Sequence, residues 1–320
     1  MPGIASQREV FPINECGIML EPQLGMSMKE MMDAVKKAEE LGFGYLFRSD
    51  HLLPTDNRRG IDSVECWTSL GSVAAATTRI KFGPMVSPIG FRNPALLAKM
   101  ACTLHSYSEG RLQLAVGAGW YESEYKAYGY PFPEFKERLM QFEEALDVME
   151  GMVREGRADF DGKYFTVHSD CLPRPHGKMH LIIGAKSRPI VRLAAQRADE
   201  WNLFVLPKEE YLGLRRVFDS AADGRSVEVS ETGPFLIGRT QSDLERYAGL
   251  MTKKHGMDRS PLEELKLMKA RGSPTGTVDE FVADLRMKAD SGIEKYYFQA
   301  LVPENTEMQE LLADTLKSGM

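Results

Sequence analysis

The stretch Leu114-Ala-Val-Gly-Ala-Gly-Trp-Tyr-Glu122 decides the fold class, because it is a short apolar run that stops at two glycines and an aromatic pair. A short apolar run bounded by glycine is typical of a buried strand. Residues 94–107, just before it, have apolar side chains at helical spacing, and residues 80–86 form another strand-like run before that helix. This order of strand, helix and strand predicts a parallel sheet.

The same alternation continues on both sides of this stretch and gives eight predicted strands. They cover residues 16–20, 45–47, 80–86, 112–116, 180–183, 200–205, 235–237 and 296–298. Helices are predicted at residues 28–41, 64–76, 94–107, 135–153, 189–197 and 209–220, and a hairpin at 160–165. We predict an α/β fold, a (β/α)8 TIM barrel forming a single domain over residues 1–320, with an insertion at about 253–275 before the last strand. An open doubly wound sheet remains the alternative, because alternation does not prove closure.

The composition favours a small molecule as the binding partner. The chain has 320 residues, 43% hydrophobic and 27% charged, which is ordinary for a globular protein. Its formal net charge of −6 offers no basic surface for nucleic acid or anionic lipid. No apolar stretch approaches the roughly 18 residues that cross a bilayer. We therefore expect a cytoplasmic protein that binds neither membrane nor nucleic acid.

The cysteines and histidines predict neither a disulfide framework nor a metal site. The four cysteines are widely spaced and include no CxxC pair: Cys16, Cys66, Cys102 and Cys171. His168, His176 and His180 lie near one another in the sequence, but their spacing matches no zinc motif. We interpret His105 as structural, because it belongs to the opposite, stability face of a barrel.

In a barrel, catalytic residues lie at the C-terminal ends of the strands, and the first unusual end is Phe47-Arg-Ser-Asp-His51. A histidine there exchanges protons near neutral pH, and the adjacent Asp50 could hold the tautomer of His51 or raise its pKa. The alternative is that Asp50 caps the next segment while His51 fills the rim. In the loop that follows, Arg58 and Arg59 could contact an anionic substrate or simply be solvated.

Two further strand ends have features of a ligand site. Gly117 and Gly119 would let a flat ligand approach the backbone, and Trp120 could form a wall against its ring, although two glycines are also an ordinary tight turn. The turn Gly184-Ala-Lys-Ser-Arg188 precedes a helix whose free amides and dipole suit a phosphate. Ser187 is the expected N-cap there. The alternative is an ordinary capped helix with solvated charges.

Several stretches, taken together, resemble the luciferase-like family of flavin- and deazaflavin-dependent oxidoreductases. The matching segments are residues 38–43, 78–99, 110–122, 128–133 with Arg138, 142–146, 160–164 and 192–202. They cover most of residues 15–205 in the order expected for that family. The resemblance implies a barrel enzyme that binds flavin mononucleotide (FMN) or the deazaflavin coenzyme F420 at its mouth.

The resemblance also implies roles for individual residues. The backbone at Met85, Val86 and Ser87 corresponds to a bulge, often with a non-prolyl cis peptide, that supports the coenzyme ring. Trp120 would lie near that ring, and Gly184, Ala185, Lys186, Ser187 and Arg188 would bind the phosphate. Related proteins commonly have two glycines where this chain has Gly184 and Ala185, a departure that could change the backbone path at that point. His51 matches the histidine that deazaflavin members place beside the reactive carbon.

Three functions follow from the resemblance. The preferred one is hydride transfer between coenzyme F420 and a small organic substrate, with His51 moving the accompanying proton and Asp50 assisting it. The alternative is a two-component monooxygenase that uses reduced FMN and oxygen, with a flavin reductase as partner. The second alternative is a non-catalytic flavin-binding protein. A homodimer is expected in each case.

Overall fold

The apolar runs of the sequence form a ring of parallel strands in the computed structural model, which describes residues 11–56 and 58–319. In chain order the strands are β1 (Cys16–Leu20), β2 (Tyr45–Arg48), β3 (Lys81–Pro84), β4 (Ser87–Pro88), β5 (Leu114–Gly117), β6 (Arg157–Asp161), β7 (Thr166–Asp170), β8 (Leu181–Gly184), β9 (Glu200–Phe204), β10 (Glu228–Pro234), β11 (Leu236–Gly238), β12 (Thr275–Thr277) and β13 (Lys295–Gln299).

The ring closes as an eight-stranded barrel, so the predicted TIM barrel is confirmed and the open sheet is wrong. The strand order is β3-β2-β1-β13-β10-β9-β8-β5-β4, and every pairing is parallel. The segments β3 and β4 are consecutive parts of one strand, which pairs with β2 on one side and β5 on the other. A further parallel bridge joins Phe82 to Leu112.

Helices surround the barrel and connect its strands. They are α1 (Met28–Leu41), α2 (Cys66–Ala76), α3 (Pro94–Tyr107), α4 (Glu122–Tyr128), α5 (Phe135–Glu150), α6 (Arg188–Arg197), α7 (Lys208–Ala222), α8 (Gln241–Lys254), α9 (Pro261–Ala270), α10 (Val278–Asp290) and α11 (Thr306–Lys317). Local signals set the bounds of α1, where Ser27 and Glu30 form a capping box and Gly42 ends the helix in the left-handed conformation. Within the described residues, no helix is both long and apolar enough to cross a membrane.

The prediction that residues 235–237 form the seventh barrel strand is wrong. That strand is β10, whereas Leu236–Gly238 pairs with β12 in a separate two-stranded sheet. The sequence of β10 is polar, but its polar groups have buried partners. Asn202 donates hydrogen bonds to Ser230 and Thr232, and Lys288 pairs with Glu231 at 2.7 Å. Most buried side chains of β10 are polar, so the strand lacks the apolar pattern that marks a buried strand in the sequence. The partners that allow this burial lie far away in the sequence.

The predicted insertion at 253–275 contains the end of α8, all of α9 and the start of β12. The predicted hairpin at 160–165 is the turn of a longer antiparallel pair formed by β6 and β7. The assignment of the whole chain to one domain stays a prediction, and residues 1–10, 57 and 320 of it lie outside the described residues.

A compact apolar cluster fills the interior of the barrel. Its buried members are Met19, Tyr45, Phe47, Met85, Ala115, Ile182 and Tyr297. Val86 packs against this cluster from above and is only partly buried. The interior is therefore a packed core rather than a channel, and Val86 forms part of the floor of the mouth.

Candidate active site

The structure brings the predicted site residues together at one end of the barrel. Asp50 and His51 follow β2, and Ser87 begins β4. Gly117 and Gly184 are the last residues of β5 and β8. The strands of a parallel barrel all end at the same end of the barrel, which is called here the C-terminal mouth. The loops that carry these residues therefore converge on this mouth.

His51 forms a close pair with a residue that the sequence analysis missed. Its Nδ1 lies 2.9 Å from Oε1 of Glu124 on α4, and Oε2 of Glu124 accepts a hydrogen bond from the backbone N–H of Leu52 at 2.9 Å. Burial by itself would lower the pKa of His51, but the hydrogen bond and charge of Glu124, helped by Glu21 and Asp50, raise that pKa above its ordinary value. Glu124 therefore fixes the ring orientation and favours its protonated form.

Asp50 forms no hydrogen bond with His51, although the sequence predicts that it could hold the His51 tautomer; its charge does help to raise the pKa of His51. Its carboxylate is buried and accepts hydrogen bonds from Ser87 Oγ at 2.6 Å and from both terminal nitrogens of Arg92 at 2.6 and 3.2 Å. Ser87 in turn accepts a bond from the indole N–H of Trp67 at 2.9 Å. Asp50 thus ties the end of β2 to β4, and its effect on His51 is limited to its charge.

The floor of the mouth is built around Val86. The peptide bond between Met85 and Val86 is cis, the conformation that the resemblance implied for this bulge. A Cβ at Gly117 would lie 2.7 Å from Val86 Cγ2, and one at Gly184 would lie 2.8 Å from Val86 Cγ1. Both glycines therefore make room for Val86, which a larger residue at either position would displace.

The aromatic wall of the mouth is partly exposed. Trp120 is 68% exposed and meets the His51 ring edge-on, with 5.8 Å between centroids. Gly119 has a positive φ of 79°, and a Cβ there would lie 2.1 Å from the hydroxyl oxygen of Tyr125. The room beside Gly119 is taken by Tyr125, whereas most of the Trp120 side chain is exposed.

The turn from Gly184 to Arg188 leads into α6 as expected. Ala185 is buried, with its N–H bonded to Asn202 O, whereas Lys186 and Arg188 are exposed. Ser187 occupies the N-cap position, but its side chain caps no backbone group and its buried Oγ has no hydrogen-bond partner. A free hydroxyl beside first-turn amides is a suitable anion site.

The loop after β2 crosses part of the mouth and is anchored by Arg58. Its guanidinium donates to Asp56 at 2.7 Å, to Leu24 O at 3.0 Å and to Lys254 O at 3.4 Å. Through these bonds Arg58 holds the loop against the end of α8. The idea that Arg58 contacts an anionic substrate therefore has no support from its geometry.

A polar network at the ends of β1, β2 and β13 was not predicted. The carboxylate of Glu21 accepts hydrogen bonds from Gln23 Nε2 at 2.5 Å and from Gln299 Nε2, and Ser49 Oγ donates to Gln23 Oε1. Glu21, Gln23 and Ser49 are all buried. No local motif marks these residues, because only barrel closure brings β13 beside β1.

A second polar cluster lies at the opposite end of the barrel. One potential metal-ligand atom from each of His180, Glu200 and Glu228 lies within 4.8 Å of the other two, a spacing that could hold a metal ion. The ammonium of Lys295 lies between the carboxylates, 3.2 Å from Glu200 and 2.6 Å from Glu228. Burial would raise the pKa of Glu200, but His180 and Lys295 lower it to about 2. Lys295 supplies the positive charge that these carboxylates require.

The fold and this mouth together define a TIM-barrel oxidoreductase, in which the strand ends position a redox coenzyme. The family model described as luciferase-like monooxygenase matches residues 11–292, and the chain belongs to this family. Because relatives in this family are dehydrogenases and monooxygenases, the family assignment supports an enzyme over the non-catalytic alternative.

Relatives and solved structures include both kinds of enzyme in this family. The chain is 33% identical over 237 residues to the F420-dependent glucose-6-phosphate dehydrogenase of Intrasporangium calvum, covering 73% of this chain and 67% of that one. It is 27% identical over 297 residues to the pyrimidine monooxygenase RutA of Rhizobium rhizogenes, covering 88% and 79%. The coenzyme F420-dependent tetrahydromethanopterin reductase from Methanopyrus kandleri shares the fold, with a TM-score of 0.75, 19% identity and coverage of 96% and 98%.

Proposed function

We propose that the protein transfers a hydride between coenzyme F420 and a small organic substrate at the C-terminal mouth of the barrel. The observation that carries this proposal is the pair of His51 and Glu124, which holds a histidine of raised pKa at the end of β2. The relative from Intrasporangium calvum supports it, since its name states F420 dependence.

The residues of the mouth fit such a coenzyme. The buried Ser187 Oγ without a partner, the first-turn amides of α6 and the exposed Lys186 and Arg188 would hold a phosphate. Val86 would support one face of the ring, and Trp120 would border it. When bound, a deazaflavin supplies a ring carbon that accepts or releases a hydride.

His51 moves the proton that accompanies the hydride. Because Nδ1 is bonded to Glu124, Nε2 is the nitrogen that faces a substrate. The raised pKa keeps the ring protonated to higher pH than a free histidine, which suits donation of a proton to a substrate oxygen and its return in the reverse direction. Glu124 is a positioning residue, since it acts through His51.

A monooxygenase that uses reduced FMN is the second candidate. It is favoured by the relative from Rhizobium rhizogenes, whose alignment covers more of this chain than that of the dehydrogenase. A flavin reductase would then be a partner. That the chain forms a homodimer and works in the cytoplasm stays a prediction of the sequence.

Titration with each coenzyme separates the two candidates. We expect F420 to bind at least about ten-fold more tightly than FMN, which is about 1.4 kcal/mol. Absorbance of the coenzyme reports binding, and anaerobic loss of F420 absorbance with added substrates reports turnover. Tighter binding of reduced FMN, together with oxygen uptake, would contradict the proposal and support the monooxygenase.

A further inference from the structure

One buried carboxylate in the described residues differs from all the others in its charge balance. The buried acidic residues are Glu21, Asp50, Glu124, Glu200, Glu231 and Glu264. Five of them form an ion pair with a side chain of the protein: their partners are Arg92, His51, Lys295, Lys288 and Arg259. Within residues 11–56 and 58–319, Glu21 forms no ion pair.

The side chains that donate hydrogen bonds to Glu21 are polar but uncharged. Its two oxygens accept hydrogen bonds from the side-chain amides of Gln23 and Gln299. An amide orients a carboxylate without neutralising its charge, and a buried charge without a partner is costly. His51 is near enough for the charge of Glu21 to raise its pKa, but it forms no hydrogen bond or ion pair with Glu21, and its Nδ1 is bonded to Glu124. Among the described residues, Glu21 therefore has no cation in direct contact.

Glu21 lies at the C-terminal mouth, so a cation that pairs with it would lie there as well. Glu21 follows β1, and the turn at Gly184 follows β8, which is four strands away around the eight-stranded ring. Glu21 thus lies across the barrel from the anion site at Ser187. It lies on the side of His51, whose pKa its charge helps to raise. A coenzyme anchored at Ser187 would leave this side of the mouth to the substrate.

We propose that Glu21 binds a protonated amine of the substrate and that the enzyme discriminates against substrates with an anionic group at this position. The proposal names a substrate class for the site described above and rests on the proposed function of that site. An ammonium would give Glu21 the kind of ion pair that the other five buried carboxylates already have. A carboxylate or phosphate would place like charges together in a buried site, which is unfavourable.

Three small probes of similar shape test the charge preference. Cyclohexylammonium, cyclohexanol and cyclohexanecarboxylate are titrated into the coenzyme-loaded protein and, separately, into the protein alone. The chemical shifts of the His51 ring and the coenzyme absorbance report binding. We expect the ammonium to bind at least about ten-fold more tightly than the carboxylate, with cyclohexanol between them. Equal affinities, a preference for the carboxylate, or no binding of the ammonium up to tens of millimolar would overturn the proposal.

Three variants show whether Glu21 causes the preference. Glu21→Gln should abolish it, whereas Glu21→Asp should retain it with weaker binding. Glu122→Gln is the matched control, because it removes an exposed charge near the same mouth, and it should leave the preference unchanged. A merely structural role of Glu21 would lower thermal stability in Glu21→Gln without altering the order of the probes. That result would also overturn the proposal.

These experiments can contradict either proposal without contradicting the other. If neither coenzyme binds while the ammonium preference is present and depends on Glu21, the proposed function is wrong and the amine site stands. If coenzyme F420 binds more tightly than FMN but the three probes bind equally, the proposed function stands and the amine site is wrong.

Discussion

The two ends of the barrel carry buried polar clusters that differ in how their charges are balanced. At the N-terminal end, Glu200 contacts His180 and Lys295 and also accepts hydrogen bonds from Ser230 and Tyr297. At the C-terminal mouth, Glu21 has only amides as partners, and Ser187 Oγ has none. In the first cluster the carboxylate has a cationic partner from the chain itself. In the second, Glu21 lacks such a partner and Ser187 Oγ lacks any partner, so both groups are available to a ligand.

This difference separates a structural cluster from a functional one without reference to relatives. Both ends contain a histidine bonded to a glutamate, so residue types alone do not distinguish them. In the first cluster both carboxylates already contact the ammonium of Lys295, so these groups have partners without a ligand. A cluster with an unmatched charge or an orphaned donor gains free energy when a complementary ligand binds.

The largest effect is expected from breaking the complete cluster. Lys295→Met leaves the buried Glu200 and the half-exposed Glu228 without their ammonium. Removing one partner of a buried ion pair such as that of Glu200 costs about 3–5 kcal/mol of unfolding free energy. Urea unfolding measures the loss. Lys178→Met is the matched control, because that lysine also pairs with an acid, Asp199, but is 73% exposed, and it should cost less than about 1 kcal/mol. Equal losses in the two variants would contradict the comparison.

At the mouth, His51→Ala should reduce turnover by about 10²-fold or more while leaving the dissociation constant of the coenzyme nearly unchanged. The reason is that the proposed role of His51 is to move a proton and not to hold the coenzyme. Steady-state kinetics and coenzyme titration measure the two quantities. His180→Ala, which removes the histidine of the opposite cluster, should lower stability but not turnover. Unchanged turnover in His51→Ala would exclude His51 from the mechanism.

Glu124→Gln should move the pH profile of the reaction to lower pH. The pKa of His51 is raised by Glu124, so the proton-donating form is present below that pKa and is lost as pH rises through it. In the reducing direction the activity should therefore decline at a lower pH in Glu124→Gln than in the unmodified protein. The dependence of kcat/KM on pH measures this. Glu122→Gln is the control, and an identical profile in all three proteins would count against the role of Glu124.

The smallest effect is expected at the phosphate turn. Ser187→Ala removes a hydroxyl without a partner, so it should leave thermal stability unchanged but weaken coenzyme binding by about 1 kcal/mol, or roughly five-fold. Ser27→Ala provides the opposite case, because Ser27 caps α1 and should lower stability by about 1 kcal/mol with no change in affinity. A loss of stability without a loss of affinity in Ser187→Ala would show that the hydroxyl is structural.

Features set by local chemistry could be predicted from the sequence. The bounds of β1, α1 and α3 agree with the predicted ranges, because capping residues and glycines mark the ends of α1, and Asn93 and Pro94 mark the start of α3. The strand end that carries His51 and the turn at Gly184 could also be predicted, because each directly follows an apolar run that the sequence shows. The carboxyl end of each parallel strand is predictable once the strand is recognised.

Features that depend on distant partners could not be predicted. Glu124 is 73 residues from His51, and Gln299 is 278 residues from Glu21. The strand β10 was missed because its serine and threonine are satisfied by Asn202 on β9 rather than by neighbours in sequence. Charge balance of a buried group is a property of the closed barrel, so a single sequence shows which acids exist but not which lack a partner.

A structure of the protein loaded with its coenzyme tests the central claim most directly. The account predicts a flat ring above Val86 with its phosphate bonded to Ser187 Oγ and to the first-turn amides of α6, and with the mouth beside Glu21 left open. A phosphate anchored elsewhere, or a coenzyme bound at the end of the barrel that contains Lys295, would contradict it.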